Sequence, residues 1–277
     1  MLLSVAHETQ LIEGRLVGRY DRFIADVRLG DGRVVHTHCV NPGRMEGQVQ
    51  LGQKVWISRA PEGRKRKLKY TWELSLDGEN IVGANTNAPN RIIEALLRAR
   101  KAPALTRFDR LGREVRYGEK SRADFCLYSG KEGGKNEKRH WVEVKNCHLV
   151  YPDGRGYFPD SVSDRAAHHI QVLTDQVAAG DRATVLFVVQ HPEAKSIRPS
   201  DLHDPVFAAA CREAKDRGVR FRAVRVVPTL EAYVVDRRIP VDLAPYSTTR
   251  HARWRTALDA TSGWKRRGPV PQDTQDD

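Results

Sequence analysis

The chain has 277 residues, and its 47 Lys and Arg residues against 35 Asp and Glu residues give a formal net charge of +12. This length allows one large domain or two modest ones with an ample core. The positive surplus favours a polyanionic partner, although a basic charge that serves only solubility is the alternative. No run of about 18 apolar residues exists and the first residues lack the basic start of a signal peptide, so the sequence predicts no membrane partner and a cytoplasmic location. The four cysteines lack C-x-x-C spacing and indicate reduced thiols.

The first part of the chain has the pattern of a small β-barrel. Short runs with strand chemistry recur, separated by turn signals such as Gly30-Asp31-Gly32. These runs cover residues 11–17, 23–29, 34–39, 54–58 and 72–76. Five short strands with such punctuation predict an OB-like barrel over residues 1–82, a fold that often binds oligonucleotides.

A strongly basic segment lies between two of these predicted strands. Two aromatic residues, Tyr70 and Trp72, follow its cations, which are Arg64, Lys65, Arg66, Lys67 and Lys69. Cations suit phosphate groups, and an unstacked base can lie on an aromatic ring. We expect the basic loop to contact nucleic acid and Trp72 to belong to the core; a solvated hairpin loop is the alternative. His36 and His38 have no third ligand nearby, so we expect them to pack or hydrogen-bond rather than bind a metal.

Residues 83–243 have the pattern of a mixed α/β domain. Helical periodicity covers residues 90–100, 163–179 and 204–217, and strand patterns cover 114–117, 124–129, 140–146, 183–189, 220–227 and a final hairpin over 232–241. The strand–helix–strand order after residue 140 predicts parallel pairing, and the strands before it predict a hairpin. The central sheet is therefore expected to be mixed. Residues 244–277 show little periodicity and are predicted to be a flexible basic tail.

The most informative residues of the chain lie in this predicted sheet. Glu143 and Lys145 are two residues apart on one strand, so their side chains share a face. If the preceding strand pairs with it, Asp124 joins that face. Two carboxylates can hold a hard divalent cation, and a lysine beside them can orient a water for phosphodiester cleavage. The alternative is a solvated cross-strand charge pair.

Several short motifs now resemble those of a known family. They are Arg19-Tyr20-x-Arg22-Phe23, His38-Cys39-x-Asn41-Pro42-Gly43-Arg44-Met45, Tyr70-x-Trp72-Glu73, Asn85-Thr86 with Pro89-Asn90-Arg91, Ser121-Arg122-x-Asp124-Phe125, Val142-Glu143-Val144-Lys145-Asn146 and Gly156-Tyr157-Phe158-Pro159-Asp160. From about residue 10 to 243 the chain resembles the sugar fermentation stimulation protein A family. The resemblance implies an N-terminal OB-like domain, a C-terminal domain similar to PD-(D/E)xK nucleases, DNA binding, regulation of sugar (maltose) metabolism and DNA or RNA nuclease activity.

The resemblance also implies roles for single residues. Asp124 and Glu143 match the family's metal-binding carboxylates, Lys145 the lysine of the motif, and Glu94 the acidic residue on the first helix of such nucleases. The nucleic-acid contacts that it implies, together with the basic loop, are Arg19, Arg22, Arg44, Arg64, Lys65, Arg66, Lys67, Tyr70, Arg122, Arg165 and His169. The chain departs from the motif where Ala123, not proline, precedes Asp124. The Pro159-Asp160 pair is expected to form a turn before the next helix.

Two functional hypotheses follow. The first is a metal-dependent nuclease that uses Mg²⁺ or Mn²⁺ and holds single-stranded or unwound DNA or RNA on the OB-like domain. The second is a non-catalytic DNA-binding regulator of sugar (maltose) metabolism genes on a nuclease-like scaffold, although no helix-turn-helix spacing supports operator binding by that route. A small-molecule enzyme of carbohydrate metabolism rests on the family's name alone, because the sequence has no phosphate-cradling glycine loop.

Overall fold

A computed structural model describes residues 1–61, 67–117 and 121–265 of the chain. These residues form two seven-stranded sheets, one two-stranded sheet and four helices. Within these ranges, no helix is long and apolar enough to cross a membrane. All four cysteines are free thiols, as the sequence predicts, and all four are buried. Arg64, Lys65 and Arg66 of the predicted basic loop lie outside the described residues.

The first sheet closes into a barrel. After the separate strand β1 (Leu3–Ala6), the first six strands of this sheet are β2 (Leu11–Tyr20), β3 (Ile24–Leu29), β4 (Val34–His38), β5 (Lys54–Arg59), β6 (Tyr70–Asp77) and β7 (Asn80–Gly83). β2 pairs with both β3 and β5, and a parallel pairing of β4 with β6 completes the ring, which confirms the predicted OB architecture. Trp72 is fully buried and donates its indole N–H to the Leu74 carbonyl at 3.0 Å, as expected of a core residue. His36 hydrogen-bonds Asp26 at 2.6 Å.

The second sheet is mixed, as predicted. Its domain contains α1 (Ala88–Arg98), β8 (Arg110–Tyr117), β9 (Ser121–Ser129), β10 (Lys138–Cys147), β11 (Arg155–Phe158), α2 (Asp164–Ala178), β12 (Arg182–Val189), β13 (Ser196–Pro199), α3 (Pro205–Asp216), β14 (Arg220–Pro228) and β15 (Ala232–Ile239). The strand order is β1-β15-β14-β12-β10-β9-β8. β10, β12 and β14 are parallel because helices cross between them, and β8, β9 and β10 form antiparallel pairs.

Both faces of this sheet are covered, which explains its apolar central strand. Every residue of β12 after Arg182 is buried. Val185 and Phe187 pack on one face with α2 and α3, whereas Leu186 and Val188 pack on the other with α1 and with barrel residues. Neither face of such a strand contacts solvent, so apolar residues occupy consecutive positions instead of alternating with polar ones.

The helices that flank the sheet begin and end at recognisable signals. The Ser163 hydroxyl caps α2 by accepting from the Ala166 N–H at 3.2 Å, and the Asp204 carboxylate caps α3 by accepting from the Phe207 N–H at 2.9 Å. Gly218 follows α3 with a φ of +100°, a left-handed conformation that glycine adopts at low cost. The predicted ends of these two helices agree with the structure to within one residue.

The N-terminal boundary of the predicted barrel domain needs correction. β1 falls within residues 1–82, yet it pairs antiparallel with β15 at the edge of the second sheet, from Leu3 opposite Val235 to Ala6 opposite Ala232. An edge strand with unpaired backbone groups can recruit any strand that reaches it. The chain therefore begins in the second domain's sheet before it enters the barrel.

The predicted flexible tail is wrong for residues 249–265. This segment contains α4 (Thr249–Asp259) and β16 (Trp264–Lys265), and β16 pairs parallel with β2 of the barrel. Tyr246, Trp254 and Leu258 pack on a small cluster of buried residues that includes two tyrosines of the second domain. A few large side chains anchor this segment, and its sequence has no amphipathic repeat. Hydrophobic periodicity therefore could not reveal it. Residues 266–277 lie outside the described residues.

Candidate active site

Asp124 lies where two strands of the central sheet separate. The antiparallel pairing of β9 with β10 ends at Phe125 opposite Val142. One residue further, Oδ2 of Asp124 accepts a hydrogen bond from the Val144 N–H at 2.7 Å, and Oδ1 accepts from Nδ2 of Asn90 at 2.8 Å. The carboxylate thus replaces the lost backbone partner of β10, and these two bonds fix its orientation.

Glu143 and Lys145 share a face of β10, as the alternation predicts. The ammonium of Lys145 lies 2.7 Å from Oε1 of Glu143, and Nδ1 of His169 on α2 lies 2.5 Å from the same oxygen. The hydroxyl of Tyr117 donates to Oε2 at 3.4 Å. The valines on either side of Glu143 pack into the opposite core. Because Glu143 is only 3% exposed, this pairing is a buried cluster rather than a solvated surface pair.

Both carboxylates border one open cleft of about 870 Å³, which we call the carboxylate cleft. Its walls come from the segment that enters α1, from β8, β9 and β10, and from the first turns of α2. Two exposed cations, Arg122 and Arg165, lie along it. Polar side chains and main-chain groups make up most of the remaining lining, including Asn87, Asn90, Glu114, Ser121, Asn146, Ser163 and His168. A strand with many phosphates would find both cations and hydrogen-bond donors here.

The two carboxylates have opposite pKa shifts. Burial raises the pKa of Asp124 to about 6, and the neighbouring Glu143 charge adds to the rise. Burial also opposes ionisation of Glu143, but Lys145 and His169 outweigh it and lower the pKa of Glu143 to about 2. At neutral pH both groups are therefore ionised. The two carboxylates place two negative charges close together, which Lys145 partly offsets and a bound cation would offset further.

The oxygen atoms here fit a hard divalent cation. An ionised carboxylate has about four acceptor sites, and each Asp124 oxygen accepts one protein hydrogen bond. Oε2 of Glu143 is engaged only by the Tyr117 hydroxyl among the described residues. Over residues 1–61, 67–117 and 121–265, no group of three or more His, Cys, Asp or Glu side chains is arranged to hold a metal. A cation would therefore take its other ligands from main-chain oxygens, water or substrate, as Mg²⁺ commonly does.

Two family models together match most of the chain. The "SfsA N-terminal OB domain" matches residues 17–84, and the "Sugar fermentation stimulation protein RE domain" matches residues 87–232. The chain belongs to the sugar fermentation stimulation protein family. The first match covers the barrel, and the second covers the carboxylate cleft.

Relatives and one solved structure agree with this membership. The chain is 43% identical to the sugar fermentation stimulation protein homolog of Maricaulis maris, over 85% of this chain and 98% of the relative, and 40% identical to the homolog of Geobacter sulfurreducens, over 83% and 96%. A structure described as Pyrococcus furiosus SfsA in complex with Ca²⁺ superposes with a TM-score of 0.76, covering 87% of this chain and 99% of that chain. At 23% identity, this similarity concerns the fold alone.

Within this family member, Glu94 does not line the carboxylate cleft. Its carboxylate lies 2.7 Å from a guanidinium nitrogen of Arg98 and 2.7 Å from one of Arg113. Asn90, one helical turn earlier on α1, occupies the position beside Asp124 instead. The geometry therefore assigns Glu94 to an ion-pair network on α1 and β8 and does not bring it to the carboxylates.

Arg19 is a correction to the predicted nucleic-acid contacts. Its side chain is fully buried and donates to the carbonyl oxygens of Arg22, Asn41, Gly43 and Arg44 at 2.7 to 3.3 Å. A guanidinium that already satisfies four carbonyls inside the protein cannot reach a phosphate. Its role is to hold two barrel loops together.

The other predicted contacts fall into three places. Arg122, Arg165 and His169 lie in the carboxylate cleft, with Nε of Arg165 3.5 Å from Nε2 of His169. Arg22 and Arg44 line a different cleft, between the barrel and α4. On the barrel, Lys67 is exposed and Tyr70 is half-buried against the barrel core. Arg64, Lys65 and Arg66 lie outside the described residues.

Sequence reasoning missed three cleft residues that contact the carboxylates or line the wall beside them. Asn90 lies inside α1, whose N-cap is Asn87, and its side-chain amide bonds Asp124. Tyr117 ends β8 and reaches Glu143, and Asn146 follows Lys145 along β10. Only Asn146 carried a local signal, because it directly follows the E-x-K run; the other two depend on how α1 and β8 pack.

Proposed function

We propose that this protein is a metal-dependent phosphodiesterase that cleaves DNA or RNA. The observation that carries the proposal is the convergence of Asp124, Glu143 and Lys145 in one cleft, lined by exposed arginines. Phosphodiester hydrolysis needs a bound cation, an oriented water and compensation of the developing negative charge. This set of side chains suits each requirement.

The carboxylates of Asp124 and Glu143 would hold Mg²⁺ or Mn²⁺, with the Val144 carbonyl as a further ligand. When bound, the ion would act as a Lewis acid on a phosphoryl oxygen and lower the pKa of a coordinated water. The Pyrococcus furiosus structure is of a complex with Ca²⁺, an ion that also prefers oxygen ligands. Binding of a hard divalent cation by a protein of this fold is in line with the proposed metal dependence.

The chain's own residues would position the substrate and balance charge. Lys145, held 2.7 Å from Glu143, would orient the attacking water and offset charge on the pentacovalent transition state. His169 keeps Glu143 ionised and in place from the other side. Arg122 and Arg165 are exposed at the cleft and suit bidentate contacts to backbone phosphates.

A cleavage assay tests the proposal. End-labelled single- and double-stranded DNA and RNA are incubated with Mg²⁺, Mn²⁺ or EDTA, with wild type, Glu143→Gln and Asp124→Asn side by side. We expect metal-dependent cleavage that both substitutions lower by roughly 100-fold or more, because each removes an anionic ligand while preserving shape.

Glu94→Gln is the matched control for this assay. It removes a carboxylate that is also paired with basic side chains but lies outside the carboxylate cleft. We expect it to cleave like wild type. Equal cleavage by wild type, Glu143→Gln and Asp124→Asn would place the activity elsewhere and contradict the proposal.

One observation favours the second candidate, a DNA-binding regulator without turnover. Asp124 and Glu143 are already engaged by protein donors, so the cluster is satisfied without a metal. A regulator of this kind would retain the probes in every metal and release them as salt rises, with no products. Such a result in the same assay would select the DNA-binding regulator over the nuclease, and a role in sugar (maltose) metabolism would belong to that second candidate.

A further inference from the structure

A second cleft lies on the other side of the segment that leads into α2. Ser163 lines the carboxylate cleft, whereas Ser161 and Val162 line this second one. It has a volume of about 530 Å³, and its walls are two barrel loops, the 161–162 segment and the C-terminal elements α4 and β16. We call it the arginine cleft because Arg22, Arg44 and Arg255 line it.

The barrel loops that carry two of these arginines are held in an unusual conformation. Arg22 has a φ of 62° and Met45 a φ of 54°. These left-handed values are unfavourable for any residue that has a Cβ atom. The buried guanidinium of Arg19 fixes these loops by donating to the carbonyls of Arg22 and Arg44. Strained backbone that the surroundings hold in place is concentrated at functional sites.

Two acidic residues face these arginines, and they differ in how firmly they are held. Glu46 is buried, lies 2.8 Å from Nε2 of His203 and accepts from the Tyr151 hydroxyl at 2.9 Å. Asp259, the last residue of α4, is 41% exposed in its side chain and accepts both bonds from Arg44, at 2.7 and 2.8 Å. Glu46 also lies 3.4 Å from Nε of Arg44 and 3.5 Å from Nε of Arg255, so it offsets part of the arginines' charge from inside the protein. The Asp259 carboxylate instead lies where an external anion could replace it.

The cleft also offers an aromatic and apolar wall. Trp264 on β16 is 45% exposed, and Val49, Leu258 and Val162 lie around the same space. Among the described residues, the side chain of Arg22 has no ion-pair or hydrogen-bond partner. Guanidinium groups beside an exposed indole suit a phosphate that carries a planar base.

We propose that the arginine cleft binds the phosphate of a nucleotide, with the base against Trp264 and the phosphate replacing Asp259 on Arg44. The nucleotide is either free or the 5′ end of a nucleic-acid strand. Arg255, Asp259 and Trp264 lie beyond the residues that the two family models match, so this site depends on the C-terminal segment of this chain. Binding here does not require cleavage in the carboxylate cleft.

Calorimetric titration of the full chain in EDTA tests this proposal without catalysis. The probes are thymidine 5′-monophosphate and a short oligothymidylate with either a 5′-phosphate or a 5′-hydroxyl. We expect Arg22→Ala and Arg255→Ala to weaken binding roughly ten-fold, because each removes a charge-assisted contact to phosphate. Asp259→Asn should strengthen binding several-fold, because it removes the competing carboxylate.

The controls come from another ion pair with the same i,i+4 spacing. Glu213 on α3 pairs with Arg217, the residue that follows this helix, as Arg255 pairs with Asp259 on α4. α3 does not line the cleft except through the preceding His203. Glu213→Gln and Arg217→Ala should bind all probes like wild type. Thermal unfolding of each variant shows whether a loss of binding reflects a loss of folding.

The probes separate the two sources of the phosphate. If the substitutions change the affinity for the mononucleotide, the cleft is a free-nucleotide site. If they change only the affinity for the 5′-phosphorylated strand, it is a strand-end site. The proposal is overturned if Arg22→Ala, Arg255→Ala and Asp259→Asn all leave the affinity for every probe unchanged. It is also overturned if no phosphorylated probe binds. Because no step involves Asp124 or Glu143, failure here leaves the proposed cleavage untouched, and the reverse also holds.

Discussion

Charged residues of the same type differ in burial and in their distance from the candidate site. Arg19 and Arg22 are three residues apart, yet Arg19 is fully buried beneath the barrel loops and Arg22 is exposed at a cleft. Glu94 and Glu143 are both candidate catalytic residues from the sequence, but only Glu143 lies beside Asp124. Residue type predicts which chemistry is available, while the fold decides which group reaches solvent.

Arg19→Ala should destabilise the protein rather than alter nucleic-acid binding selectively. The substitution leaves buried carbonyls of two loops without their donor, so the free energy of unfolding should fall by about 2–4 kcal/mol. Urea denaturation followed by circular dichroism measures this change. Arg28→Ala, at an exposed position on β3, serves as the control and should change stability little. Unchanged stability with weaker nucleic-acid binding would show that Arg19 is a phosphate contact instead.

The elements at the two chain ends cross between domains. β1 joins the second sheet although the barrel follows it directly, and β16 joins the barrel although the second domain precedes it. Each end therefore ties one domain to the other. The central elements behave differently: their periodicity and caps define them locally, which is why the predicted α2 and α3 agree with the structure.

Deleting residues 1–6 should weaken the second domain at its β15 edge. The deletion removes the backbone pairing of β1 with β15, which should lower the free energy of unfolding by about 2–4 kcal/mol at roughly 1 kcal/mol per hydrogen bond. Hydrogen–deuterium exchange should speed up in β15 and remain slow in β3 and β4, which serve as internal controls. Equal protection of β15 in both proteins would show that β1 contributes no stability.

At the scale of the whole molecule, one buried carboxylate joins the two domains. Asp160 was expected to lie in a simple turn, but Oδ2 accepts from the Met45 N–H of the barrel at 2.7 Å and lies 3.4 Å from Nε2 of His148. Its oxygens approach Gly43 so closely that a Cβ there would lie 2.2 Å from Oδ1. Glycine at this position therefore permits the domain contact.

Asp160→Asn should reduce stability in a pH-dependent way. Burial opposes ionisation of Asp160, but His148 and the Met45 amide outweigh it and lower its pKa from 3.8 to about 2. Because the folded-state pKa is lowered, the ionised carboxylate stabilises the protein above the unfolded pKa, by about 2 kcal/mol, and this contribution is lost as pH falls from about 5 towards 2.

Urea denaturation at several pH values checks this prediction. The difference in unfolding free energy between wild type and Asp160→Asn should be largest near neutral pH and shrink as the pH falls below about 4. Asp175→Asn, at an exposed position on α2, is the control and should show no such dependence. A difference that stays constant down to acidic pH would contradict the assigned role of Asp160.

The sequence by itself determined most of the strand and helix positions of the two domains, the shared face of Glu143 and Lys145, and the burial of Trp72, although it did not reveal β1, β7, β11 or β13. These features follow from the geometry of a short stretch of chain, because side chains alternate along a strand and repeat along a helix. A local pattern is sufficient to predict the secondary structure and the exposed face of a residue wherever these depend on its neighbours in the sequence.

Only the tertiary structure decided which side chains meet. It brought Asn90 and not Glu94 to Asp124, buried Arg19 beneath the barrel loops, paired β1 with β15, and folded α4 and β16 back onto the barrel. Each of these contacts joins segments that are distant in sequence or depends on the packing angle of an element. Such contacts depend on how strands align and helices pack across the whole molecule, and no local period encodes that alignment.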